Sequence, residues 1–153
     1  MRFLIAFLFC VTFSTVAPAQ PITGTYKLIS FTSDYGDGAS VTPFGPQPTG
    51  YIIITPKRFM AMLVSDTRRP GATAEDRIAL FNSVIAYSGP YKLEGSRLVT
   101  DVDISWNQAW TGTKQGRTLT IDGNRLTLVT DRAPSGLDPS RTVSARLVWE
   151  KVE

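Results

Sequence analysis

The chain has 153 residues, with 16 lysines and arginines against 13 aspartates and glutamates, no histidine and one cysteine, Cys10. That length fits a single domain. The net charge of +3 is spread in short clusters such as Arg68-Arg69, with no basic stripe to track a phosphate backbone, so a nucleic-acid partner is not expected. A histidine-based triad is excluded, and zinc, copper and haem sites lose their usual ligands, so no cofactor or metal is expected.

The first residues read as a leader. Arg2 is a short positive region, Phe3 to Phe13 is apolar except for Thr12, and Ala17-Pro18-Ala19 is an A-x-A cleavage signal. The run is too short to span a bilayer comfortably. Cleavage after Ala19 predicts a periplasmic or secreted protein without stable membrane insertion. Phe9, before Cys10, is too large for a lipoprotein signal. The mature chain then has no cysteine, and its fold must stand on its own core. From residue 20 on it is long enough to bury roughly 70% of its unfolded surface.

Gly24 to Phe31 is the first predicted strand, with Tyr26 and Leu28 on one face and Lys27, Ile29 and Phe31 on the other. Ser33 to Ser40 is rich in turn residues. Asp34 and Asp37 resemble part of a calcium loop, but the twelve-residue ligand pattern is absent. Pro43 to Pro56 is one stretch: a loop stiffened by Pro43, Pro46 and Pro48 and freed at Gly45 and Gly50 feeds the strand Tyr51 to Thr55, which Pro56 stops. A tight reversal leads into Phe59 to Val64, completing a hairpin. Both faces of that last strand are apolar: Phe59, Ala61 and Leu63 on one, Met60, Met62 and Val64 on the other. A central helix covering the outer face would account for this.

Thr73 is a predicted N-cap, with Glu75 and Asp76 in the first turn. Ile78, Phe81 and Ile85 follow at helical spacing, predicting one helix over Ala74 to Ala86, ended by Ser88-Gly89-Pro90. Strand and turn then alternate. Tyr91 to Leu93 is short. Arg97 to Ser105 puts Leu98, Thr100, Val102 and Ile104 opposite Asp101 and Asp103. Trp106 to Gly112 is a loop with two tryptophans. Gln115 to Ile121 and Arg125 to Thr130 flank the hairpin turn Asp122-Gly123-Asn124. Asp131 to Pro139 is a loop, and Thr142 to Glu150 is the last strand. About eight short alternating strands and one helix between strands 3 and 4 predict an up-and-down barrel or a sandwich. A barrel of this size holds at most one small ligand.

The residues also carry a resemblance. Gly24-Thr25-Tyr26-Lys27-Leu28, Pro43-Phe44-Gly45-Pro46 with Pro48 and Gly50, Tyr87 with Gly89 and Tyr91, and Trp110 with Gly112, Gln115 and Arg117 form one ordered set. Leu126 with Leu128 and Trp149-Glu150-Lys151 complete it. In order and spacing this resembles the lipocalin-like domain family of small bacterial and fungal proteins, within the calycin group, over about Gly24 to Lys151. The resemblance implies an all-β, eight-stranded antiparallel up-and-down barrel holding a small, mostly apolar molecule. It implies no particular activity. Tyr26 stands where the first-strand motif usually has tryptophan, and Thr100, Asp101 and Asp103 occupy a stretch where related sequences often carry histidine.

Four groups of residues are candidates for function. Tyr26, Trp149 and Lys151 meet if the last strand closes on the first, and are expected to plug the closed end of the barrel, with Lys151 over an aromatic ring. Trp106, Trp110 and Arg117 suit an apolar ligand carrying a carboxylate or hydroxyl. The alternative is a tryptophan packed under its loop, with Arg117 bracing backbone carbonyls. Met60, Met62, Tyr51, Ile53 and Phe59 are candidates for a ligand-binding interior face, or else for a filled core, and Tyr91 is expected among the ligand-binding residues. Asp101 and Asp103 are expected in solvent, with no catalytic residue assigned.

The resulting expectation is an exported protein that holds a small hydrophobic or amphipathic molecule and is more binder than enzyme. Two other classes stay open. One is a cofactor-independent isomerase or cyclase using Arg117, Tyr87, Tyr91 or an inward-facing aspartate. The other is a filled structural or interaction barrel. The sequence leaves ligand identity and oligomeric state open.

Overall fold

Strict alternation of apolar and polar residues builds a sheet with one buried face, and here that sheet closes on itself. A computed structural model describes residues 22–38, 40–134 and 140–153. The expected leader, Met1 to Ala19, lies outside the described residues. Eight long strands carry the fold: β1 (Gly24–Asp34), β2 (Thr49–Ile54), β3 (Arg58–Val64), β4 (Val84–Glu94), β5 (Arg97–Asp101), β6 (Lys114–Asp122), β7 (Arg125–Thr130) and β8 (Thr142–Lys151). Each pairs antiparallel with the next in sequence, and β8 pairs with β1 over Tyr26–Lys151 to Asp34–Ser144, closing the barrel. Closure leaves no long edge free to recruit another chain. Two-residue strands at Ser40–Val41, Ile104–Ser105 and Ala133–Pro134 extend β1, β4 and β8. One α-helix, α1 (Ala74–Asn82), lies between β3 and β4.

The core draws on every strand, with Leu28, Ile52, Phe59, Leu98, Leu119, Leu126 and Trp149 among its members. On β2, Gly50, Ile52 and Ile54 point inward. On β3 it is Phe59, Ala61 and Leu63, which settles the ambiguous hairpin. Met60 and Met62 are exposed, Met62 by 57%, so the helix does not cover them.

Three local departures from the expected pattern shape the open end. In β1, Leu28 pairs with Trp149 and Ser30 with Val148, so Ile29 is an extra residue, a β-bulge. The bulge reverses the alternation. Phe31 and Ser33 turn inward, where simple parity put Phe31 outside with Lys27.

The helix ends at Asn82, not Ala86. Val84, Ile85 and Ala86 pair with Val64, Leu63 and Met62 instead, because β-branched residues beside an unpaired strand gain more from the ladder than from another helical turn. Thr73 caps α1 as expected, in a reciprocal box with Asp76. No residue of α1 is buried, and Ile78 is 61% exposed.

The expected strand Arg97 to Ser105 breaks after Asp101. Gly89 of β4 lies so close that a Cβ there would overlap the Asp101 carbonyl. Val102 then bonds Thr113 and Gly112 instead. Ile104 emerges on the outside, 69% exposed, away from Leu98, Thr100 and Val102.

The up-and-down order sorts the loops. The tight turns at Thr55–Lys57, Gly95–Ser96 and Gly123–Asn124 share the closed end with Tyr26 and Lys151. The proline loop, α1 and the tryptophan loop share the other end. The proline loop is pinned there. Phe44 is buried with its ring edge-on to Phe31, centroids 5.2 Å apart. The Asp66 carboxylate accepts from the Gln47 amide at 2.7 Å, and the Asp66 amide donates to the Phe44 carbonyl at 3.1 Å.

Candidate ligand-binding cavity

Inward-facing side chains of β6 follow the period of two: Gln115, Arg117, Leu119 and Ile121. Arg117 pairs across the sheet with Leu98 and Thr130, so an arginine stands within the apolar wall. It borders a cavity of about 370 Å³ that also touches Phe59, Tyr87, Trp110, Gln115 and Trp149. A second cavity of about 260 Å³ lies toward the open end, between Pro43, Phe44, Phe81 and Trp106. The two share Phe31, Ile85, Trp110, Val143 and Ala145, so they lie side by side.

Arg117 is only 9% exposed. It donates to the Gly116 carbonyl at 2.8 Å and, over longer distances, to Gln115 Oε1. Among the described residues it makes no ion pair; Asp131, at the cavity edge, is taken by Arg97. The Arg97 hydrogen bond holds the Asp131 carboxyl below its ordinary range, with the Arg117 charge a smaller contribution. Burial pushes the Tyr87 hydroxyl above its usual range, and the neighbouring Arg117 guanidinium partly opposes that shift. A guanidinium that lacks a carboxylate partner, with a neutral phenol beside it, suits an anionic or strongly polar group arriving from outside.

The expected site residues divide. Phe59 and Arg117 line the first cavity, Trp106 the second and Trp110 both. The Trp106 indole donates to the Phe81 carbonyl at 3.2 Å and meets Trp110 edge-on at 4.9 Å. Arg117 does brace a backbone carbonyl, but that of Gly116 and not of the tryptophan loop. Tyr51 and Ile53 do not reach the interior: the parity that buries Ile52 and Ile54 leaves both about half exposed on the outer face. Tyr91 borders neither cavity; it sits near the closed end, donating to the Thr55 carbonyl at 3.1 Å.

At that end Tyr26 and Lys151 are register partners, with Lys151 Nζ 5.9 Å from the ring centre, and the Tyr26 hydroxyl donates to the Ile22 carbonyl at 2.8 Å. Trp149 lies one inward position deeper, fully buried, with its indole Nε1 unpartnered. Asp103 and Asp101 face solvent, ion-paired with Arg58 and Lys114.

Sequence reasoning gave Tyr87 and Gln115 no place in the ligand site, and overlooked Phe31, Phe81 and Ile85 there. Gln115 was legible, two residues before Arg117 on the same strand face. Phe31 was hidden by the bulge, Phe81 and Ile85 by an overlong helix.

A closed eight-stranded antiparallel barrel, hollow toward one end, is a fold that in general suggests small-molecule binding. The sequence pattern of the lipocalin-like domain matches residues 23–152, and the chain belongs to that family. No curated protein matches. Among solved structures, a crystal structure of an uncharacterized protein from Bacteroides eggerthii is similar at 14% identity, over 85% of this chain and 98% of that one. Its TM-score is 0.42.

Proposed function

We propose that this protein is an exported binding protein whose barrel holds an amphipathic molecule, with its apolar body among the cavity side chains and an acidic or strongly polar group on Arg117. The observation that carries the reading is the buried Arg117, which borders a largely apolar cavity and makes no ion pair among the described residues. A buried cation without an anionic partner is costly, and a ligand carboxylate meeting it in two parallel hydrogen bonds relieves that cost. Tyr87 and Gln115 supply further polar contacts beside it. The leader-like residues Met1 to Ala19 support export.

Binding is tested with a panel of aliphatic and aryl monocarboxylates, each beside its methyl ester. Hydrogen bonds to charged groups contribute about 1.5–3 kcal/mol. The acids should therefore bind at least about tenfold tighter than their esters, and Arg117→Gln should erase that difference while the Tm stays close to wild type. Equal affinity for acids and esters in the wild-type protein would sink the assignment. Export is tested by N-terminal sequencing of protein recovered outside the cytoplasm: the chain should begin at Gln20, and an intact Met1 would reject cleavage.

A further inference from the structure

The cavity at the open end has an unusual wall. Six aromatic side chains from separate parts of the chain border it: Phe31, Tyr35, Phe44, Phe81, Trp106 and Trp110. They come from β1 and the residue just after it, the proline loop, α1 and the tryptophan loop, so the convergence is tertiary. None of the ring pairs among them is parallel-stacked: Phe31–Phe44 and Trp106–Trp110 are edge-on and Phe81–Trp106 is tilted. Phe81 is about half exposed although it borders the pocket.

We infer that this mouth pocket is a subsite for a planar aromatic ring, and that the ligand is an aryl acid, not a simple alkyl one. This rests on the reading of Arg117 as the anion site. A cavity of roughly 150 Å³ is enough for benzene, so about 260 Å³ leaves room for a fused bicyclic ring. The ring pocket and the charge lie on either side of shared walls. Trp110 borders both cavities and meets the Tyr87 ring edge-on at 5.6 Å, and Tyr87 stands beside Arg117. Aromatic surroundings favour an aromatic guest beyond its area, because ring edges and faces are electrostatically complementary.

The test compares a naphthyl-substituted alkanoic acid with an alkanoic acid of equal carbon number, and the two corresponding alcohols, by calorimetry and tryptophan fluorescence. The naphthyl acid should bind about tenfold tighter than the alkyl acid. Phe81→Leu with Trp106→Leu should shrink that ratio to about threefold or less, by weakening the naphthyl acid more than the alkyl acid. Arg117→Gln should weaken both acids and preserve the naphthyl preference. Equal binding of the two acids, or a naphthyl preference untouched by the double substitution, overturns the aromatic subsite. If acids bind no better than alcohols, the Arg117 reading fails separately, and the preference for the naphthyl over the alkyl alcohol still decides the subsite.

Discussion

Trp149 shows how much one side chain can do at the closed end. It is 1% exposed and packs between Leu28 of β1 and Leu126 of β7, the seam where the barrel closes. Its indole nitrogen has no hydrogen-bond partner among the described residues, and an unmet buried donor works against stability. Trp149→Ala should therefore cost about 3–5 kcal/mol and lower the Tm by roughly 10 °C. Trp149→Phe keeps a ring and removes the unmet donor, and should cost less than half as much. Equal losses in the two variants would show that the nitrogen carries no penalty.

Tyr87 carries the second prediction at this scale. Its folded pKa is raised by burial, as are those of Tyr26 and Tyr91. Below the unfolded value, about 10, both states are protonated and pH has no effect through this group. Above it the unfolded chain loses its proton first, so stability falls as pH rises toward the folded value. Tyr87→Phe should flatten the Tm-against-pH curve above about pH 10. An unchanged curve would assign the alkaline loss to the other tyrosines.

At the scale of elements, the rim of the barrel is set by loop chemistry. Gly45 has φ of +80°, and a Cβ there would also overlap the Asp66 carboxylate that ties the proline loop to the segment after β3. Gly112, in the tryptophan loop, has φ of +83° with open space around it. Gly112→Ala measures backbone strain alone, about 1 kcal/mol; Gly45→Ala adds loss of the Asp66 anchor and should cost clearly more. Thermal unfolding of the two variants side by side checks this, and equal shifts would remove Asp66 from the account. Helix α1 differs from the strands around it. Its start is fixed by the Thr73–Asp76 capping box, yet it buries none of its residues and its Phe81 borders the mouth. Its place follows from where β3 and β4 need to pair.

At the scale of the whole molecule, closure makes the barrel one cooperative unit, because every long strand has two neighbours and β1 depends on β8. Trp106 and Trp110 report on the open end, and Trp149 on the closed end. Single-end reporters made by Trp149→Phe, or by Trp106→Phe with Trp110→Phe, should each give a denaturation midpoint that coincides with far-ultraviolet circular dichroism of the same variant. A midpoint for the mouth well below that of the backbone would show that the rim unfolds on its own.

The amino-acid sequence by itself determined the local choices. Alternating apolar residues, tight-turn residues such as Asp122-Gly123-Asn124, the cap at Thr73 and the family motifs specified the strands, the start of the helix and the barrel. The strands, turns and cap depend on contacts within a few residues, which a pattern records directly, and the barrel followed from the order and spacing of the family motifs. The tertiary structure alone decided which face is inside. A period of two defines two faces of a strand without saying which is buried, so Phe59 turned inward while Tyr51 and Ile53 turned out. The Ile29 bulge, the break at Val102 and the pairing of Val84 to Ala86 with β3 arise from neighbours far along the chain. The hollow beside Arg117 and the aromatic ring around the mouth exist only where those distant segments converge.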